Sequence, residues 1–272
     1  MNPPESNLSP DAVRAEVRAR YGRIPDRGDS CCGPSAGCCG SEAPADATAQ
    51  ALGYSAADTA AAPAGSNLGL GCGNPVGIQG LREGETVLDL GSGAGFDVFL
   101  AARAVGPTGH VIGVDMTPEM LQAARANQAK AGVRNVEFRL GEIEHLPVAD
   151  DSVDVILSNC VINLSPEKER VFGEAFRVLR PGGRLAISDI VALRELPAEV
   201  RADLELLGGC VAGAATIEAV RTMLRAAGFA EVRIEPKHEL QASVDGWFPE
   251  RGVAGLVASA NITARKPAPT SR

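Results

Sequence analysis

The sequence predicts an α/β fold: a doubly wound, mostly parallel seven-stranded sheet with a cysteine-rich N-terminal extension. Three observations carry this. From residue 85 onward, short apolar runs alternate with longer segments of helical pattern, the signature of strands joined by crossover helices. The first apolar run ends in a glycine-rich stretch, Asp89-Leu90-Gly91-Ser92-Gly93-Ala94-Gly95, which leads directly into a helix. Before residue 80 the composition is different, rich in Ala, Gly, Pro and Cys, so the chain divides there.

Each element has its own local reason. An opening helix is expected because Ser9 can cap it, Pro10 suits its first turn and Asp11 complements its dipole. Residues 28–46, GDSCCGPSAGCCGSEAPAD, read as a loop whose two CCG triplets are too close for a fold repeat. Residues 47–83 carry two short helices. ETVLDL (85–90) is a buried parallel strand, and residues 94–104 form its helix. HVIGVD (110–115) is the second strand. Its helix (117–132) has Thr117 as cap, Pro118 and Glu119 in the first turn and Gly132 as terminator. NVEFRL (135–140) and SVDVILSN (152–159) are the third and fourth strands, and residues 166–180 form the next helix. Pro181-Gly182-Gly183 turns into the fifth strand, RLAISD (184–189). Residues 197–207 and 216–227 are helical, and AEVRIE (230–235) and LVASANITAR (256–265) close the sheet. In such a sheet ligands bind at the carboxyl ends of the strands.

Composition narrows the function. The 272 residues suit one large α/β domain with additions. A formal net charge of −8 and 4% aromatic residues argue against nucleic acid, which needs clustered cations and stacking surfaces. A small neutral or cationic ligand fits better. No run of eighteen apolar residues occurs, so no membrane span is expected. The opening residues lack the basic and apolar regions of a secretory leader, so a cytoplasmic protein, read as a monomer, is expected. Its seven cysteines would then be thiols, available for metal binding, redox chemistry or catalysis.

The glycine-rich loop is the strongest local signal. Its glycines allow close backbone approach, the helix behind it favours an anion, and Asp115 ends the second strand, where a carboxylate can accept both hydroxyls of a ribose. Read as a dinucleotide fingerprint, the loop would end on Phe96, too bulky for close helix–strand packing. Read as D-x-G-x-G-x-G, every position matches. There the chain resembles the seven-stranded, Rossmann-like S-adenosylmethionine-dependent methyltransferases, and VDMTPEML, GEIEHLP and VLRPGGRLAISD extend the match over residues 76–235. The resemblance implies S-adenosylmethionine held by Asp89, Gly91, Gly93, Gly95, Asp115, Met116, Glu142, Ile143 and Asn159.

The cysteines sharpen this. Cys72 lies in NLGLGCGNP before the sheet, Cys160 in LSNCVINLS just past the fourth strand, and Cys210 in the glycine-flanked LLGGCVAGA. Together with LDLGSGAGFD, these segments resemble the arsenite S-adenosylmethionine methyltransferases in family order. That resemblance implies arsenite as substrate, with Cys72, Cys160 and Cys210 as thiolate ligands of trivalent arsenic. It also implies Tyr21 as the aromatic cap on the cofactor, and a redox pair of Cys72 with one N-terminal cysteine, for which Cys32 is the candidate. An external thiol reductant, thioredoxin or glutathione, would reopen the pair. The chain departs from the family pattern in carrying two CC pairs, Cys31-Cys32 and Cys38-Cys39, where one functional cysteine is needed. Residues 1–75 are then the extension, 76–190 the cofactor core, and 191–272 the arsenic-site loop, helices and closing strands.

Other readings stay open. Any single cysteine is by default a small core residue. Adjacent CC pairs do not match the usual zinc-ligand spacing. His110 reads as structural and His145 as an exposed loop residue, while Asp150-Asp151 and Glu167-Lys168-Glu169-Arg170 read as solvated. The alternative functions are methylation of a small organic substrate, and a thiol-rich arsenic- or metal-sequestering protein without catalysis.

Overall fold

The computed structural model describes residues 9–27, 44–248 and 251–269. Cys31, Cys32, Cys38 and Cys39 lie outside the described residues. Seven strands form one sheet: β1 (Thr86–Leu90), β2 (His110–Asp115), β3 (Val136–Leu140), β4 (Val153–Asn159), β5 (Leu179–Ala192), β6 (Ala230–Pro236) and β7 (Val257–Arg265). Their order is β3-β2-β1-β4-β5-β7-β6. The first five run parallel, and β7 lies antiparallel between β5 and β6, so the sheet is mixed, as expected for the fold class.

Side-chain alternation explains the layers. On β1, Leu88 and Leu90 face one apolar cluster with Phe172 and Val178 of helix Lys168–Val178 and Leu224 of helix Ile217–Ala226. Val87 faces the other side, with Val98 and Ala102 of helix Phe96–Val105 and Leu121 of helix Pro118–Ala131. Both faces being covered, the strands read as continuous apolar runs. A third cluster caps the carboxyl ends. It joins Val17 of the first helix to Cys72, Leu164, Cys210 and Trp247, so residues before, within and after the central stretch share one apolar layer.

Most elements fall where expected, and the differences have local causes. Ser9 Oγ accepts from the Ala12 N–H and caps helix Pro10–Tyr21, and Gly132 ends its helix at φ 66°. Residues 47–83 contribute to three short helices, not two: Ala45–Ala51, Ala56–Ala61 and Val76–Gln79. β5 starts before the Pro181-Gly182-Gly183 turn, because Leu179 already pairs with Val153; the turn is a bulge, with Gly182 at φ 85°. Thr117 stands at its helix start but makes no side-chain cap bond. Among the described residues, no helix is long and apolar enough to cross a membrane.

Candidate active site

The loop after β1 is shaped by its glycines. Gly91, Gly93 and Gly95 all take left-handed φ, 70°, 52° and 96°. A Cβ on Gly91 would lie 2.5 Å from Val161 Cγ2, so a side chain is excluded twice, by backbone conformation and by space. The Gly93 N–H donates to one Asp115 oxygen at 2.9 Å, and the Thr117 N–H donates to the other at 2.8 Å. The Thr117 hydroxyl bonds the same carboxylate, which accounts for its absence from the helix cap. Asp115 is thereby fixed at the carboxyl end of β2.

These groups open on a cleft of about 1270 Å³. Asp89, Gly91, Gly93 and Asp115 line it at the loop; Met116, Ile143 and Asn159 line it along the strand ends; Tyr21 reaches it from the first helix. Gly95 does not line it and stands instead at the N-cap of helix Phe96–Val105. Glu142 points away, to Arg18 at 3.1 Å and Arg14 at 3.6 Å. Its neighbour Glu144 faces the cleft, bonded to the Ser165 hydroxyl at 2.6 Å. Ser92 Oγ, in the cleft wall, is buried with no hydrogen-bond partner among the described residues, as a site for a polar ligand would leave it.

Electrostatics favour a cationic ligand. Asp89, Asp97 and Asp115 are buried in this cleft, and desolvation raises the pKa of each; Asp97 reaches about 6. Mutual repulsion with Asp97 and Asp115 raises Asp89 further. Asp97 Oδ1 accepts from the Tyr54 hydroxyl at 2.6 Å, and Oδ2 accepts from Asn159 Nδ2 at 3.2 Å. Asn159 Nδ2 also donates to the Gly73 carbonyl at 2.8 Å, while its Oδ1 accepts from the Cys72 N–H at 3.0 Å. One amide thus ties the Cys72 segment to the cleft.

At the far end three thiols meet. Cys160 and Cys210 line the cleft, and Cys72 is fully buried beside them. Cys72 Sγ donates to the Ser188 carbonyl at 3.5 Å and Cys210 Sγ to the Cys160 carbonyl at 2.8 Å, and both thiols interact with that of Cys160. Burial raises the Cys72 pKa; burial and the two neighbouring thiols raise that of Cys160 well above the ordinary value. Among the described residues Cys160 and Cys210 are two of four non-glycine residues at positive φ, 57° and 62°. Such backbone costs of order 1–3 kcal/mol per residue and persists where surrounding structure holds it.

A methyltransferase domain family model matches residues 81–228. The arsenite methyltransferase of Halobacterium salinarum is 54% identical over 270 residues, covering 97% of this chain and 69% of the relative. The chain belongs to the arsenite methyltransferase family. The human arsenite methyltransferase is 40% identical over 157 residues, 54% of this chain and 42% of that protein. A solved structure, an arsenic(III) S-adenosylmethionine methyltransferase from Chlamydomonas reinhardtii, superposes with TM-score 0.60 at 35% identity over 85% of this chain and 76% of that one.

Several residues of this arsenite methyltransferase site escape sequence reading. Asp97 ends the quoted GSGAGFD and could have been weighed as a third acid, but nothing local links it to Tyr54, 43 positions earlier. Arg14, 7% exposed, ties the first helix to Glu144 and Glu167. The expected solvated face at residues 167–170 is therefore wrong for two members: Glu167 holds Arg14, and Lys168 turns inward. Lys168 Nζ donates to the Ser165 carbonyl at 2.9 Å; burial pulls its pKa down to about 8, against the pull of Asp189, Cys210 and Glu144. His110 lies at the start of β2 beside Glu137, and His145 is exposed, as expected.

Proposed function

We propose that this chain transfers the methyl group of S-adenosylmethionine to trivalent arsenic held by Cys72, Cys160 and Cys210. The meeting of the three thiols at the end of the acid-lined cleft carries the reading. The residues suit the cofactor: a glycine cradle, a carboxylate fixed at the end of β2, further buried acids for positive charge, and an unsatisfied hydroxyl at Ser92. Asp115 would hold the ribose, Met116 and Ile143 the adenine, Asp89 the cationic amino-acid end, and Tyr21 would close the cleft. When bound, the cofactor supplies an electrophilic sulfonium methyl.

The raised thiol pKa values fit neutral arsenite. Each protonated thiol forms a sulfur–arsenic bond and sends its proton out with a displaced hydroxide as water, so three bonds form without building charge in a buried site. Thiolate sulfur is the preferred partner of so soft a centre. The bound arsenic keeps its lone pair, which attacks the methyl carbon; no base is needed because no proton is lost. The protein's contribution is to orient that lone pair, and Asn159 does so in part by holding the Cys72 segment. Transfer leaves arsenic formally pentavalent. Two thiols, Cys72 and a cysteine of the 31–39 loop such as Cys32, would return the electron pair and become a disulfide, which an external thiol, thioredoxin or glutathione, then reduces. A reducing cytosolic setting and a monomer suit this chemistry.

Turnover of S-adenosylmethionine with and without arsenite, in the presence of a dithiol, tests the reading. Methylated arsenic and S-adenosylhomocysteine should appear together. Cofactor turnover independent of arsenite, or arsenite binding without turnover, would replace it with an organic substrate or with sequestration.

A further inference from the structure

The thiols share their pocket with a fourth donor. Ligating atoms of Cys72, Cys160 and Asp189 lie within 4.8 Å of one another, and the Cys210 thiol, which donates to the Cys160 carbonyl at 2.8 Å, stands beside that of Cys160. Asp189, on β5, is 2% exposed. Its Oδ1 accepts from the Ile190 N–H at 2.7 Å and Asn163 Nδ2 at 2.9 Å, Oδ2 accepts from the Ile162 N–H at 3.0 Å, and the Asn163 N–H also donates to this carboxylate.

Trivalent arsenic makes no use of such a group. It takes three sulfurs and directs a lone pair along the fourth tetrahedral direction. Three thiolates and one carboxylate oxygen instead match the number and type of donors of a tetrahedral thiophilic divalent ion. The surroundings supply charge as well: Lys168 interacts with Asp189 and Cys210, and Lys237 with Cys72. Two ammonium groups and a divalent ion offset three thiolates and a carboxylate.

We infer that this cluster binds zinc or cadmium through Cys72, Cys160, Cys210 and Asp189, in competition with arsenite. The inference rests on the three-thiol site proposed above. Each thiol exchanges its S–H bond for a metal–sulfur bond and releases its proton to solvent, up to three per ion, and no electrons change hands. The bound ion offers no lone pair to a methyl group, so the loaded enzyme is inactive.

Cadmium chloride added to the reduced full-length chain is the probe. The expected X-ray absorption first shell at equimolar loading is three sulfurs and one light atom; a shell of sulfur alone, or of two sulfurs, would overturn the inference. Cadmium should displace arsenite one for one, read by fluorescence of Trp247, which lines the cleft and is the single tryptophan. Cys160→Ser should abolish tight cadmium binding; persistence would place the ion on other cysteines and defeat the proposal. Asp189→Asn, confirmed as folded and cofactor-binding, should weaken cadmium at least tenfold and leave arsenite affinity within about threefold. Equal losses for both would make Asp189 a structural residue. If Asp189→Asn does not fold, the wild-type absorption shell decides. Cadmium bound with the expected shell by a chain that does not bind arsenite would remove the substrate reading and leave the cation site.

Discussion

In the proposed function Asp115 and the three cysteines have distinguishable jobs. The Asp115 carboxylate is pinned at the end of β2 by the Gly93 and Thr117 N–H groups and by the Thr117 hydroxyl. Asp115→Ala should weaken S-adenosylmethionine by roughly 1.5–3 kcal/mol, a typical contribution for hydrogen bonds to a charged group, and leave arsenite binding unchanged. Calorimetry on both ligands checks this; equal cofactor affinity would remove Asp115 from the site. Cys160→Ser and Cys210→Ser should each lose methylation of arsenite and of monomethylated trivalent arsenic, because a hydroxyl is a hard, weak ligand for a soft centre. Cys72→Ser should lose arsenite methylation but keep a first turnover on the monomethylated species, which needs only two thiols. Single-turnover product analysis separates the cases, and near-normal rates for Cys160→Ser would make Cys160 a packing residue.

Among the elements, the first helix, Pro10–Tyr21, depends most on a single side chain. Arg14 is buried against Glu144, itself 4% exposed, and Val17 and Tyr21 follow it into the cleft. Arg14→Met strands a buried carboxylate, and removing one partner of a buried pair costs roughly 3–5 kcal/mol. Hydrogen exchange should show residues 10–21 opening first, with weaker cofactor binding, and Glu144→Gln in the same chain should restore part of both. Unaltered exchange in this helix would show that apolar packing alone holds it. This helix also marks where the sequence stops being informative. Ser9, Pro10 and Asp11 announce it, because caps are local. Its partners lie about 130 and 150 residues away, and no spacing rule links Arg14 to Glu144 and Glu167. The central strands were legible because burial on both faces leaves a continuous apolar run, and the glycine loop because its conformation admits so few residues. The positive φ of Cys160 and Cys210, the inward Lys168 and the fourth donor Asp189 are set by tertiary packing and leave no local trace.

For the whole molecule, the buried acids set the response to pH. Asp97 and Asp189 have pKa values raised to about 6, and Asp89 and Asp115 are raised as well, chiefly by desolvation. A carboxyl raised on folding contributes its stability fully below its unfolded pKa, about 4, and loses it as pH rises through the folded value. Glu85, Glu167 and Glu174, lowered in the folded chain, act oppositely: their contribution is present above about 4.5 and lost as pH falls through the folded value. The cofactor-free protein should therefore melt several degrees higher at pH 5 than at pH 7.5. S-adenosylmethionine brings positive charge to the acids and should raise the melting temperature more at pH 7.5 than at pH 5. Thermal melts at both values, with and without cofactor, check this; a monotonic rise in stability to pH 7.5 without cofactor would contradict it.

The position of β7 has a consequence for biosynthesis. It follows the other six described strands in sequence, yet it lies between β5 and β6, and its Ser259 hydroxyl donates to the Cys72 carbonyl at 2.6 Å. During translation Cys72, Cys160 and Cys210 all leave the ribosome before the strand that locks the first of them into place. For that interval the three thiols belong to a chain whose sheet is still incomplete. Only the completed sheet holds the same thiols side by side.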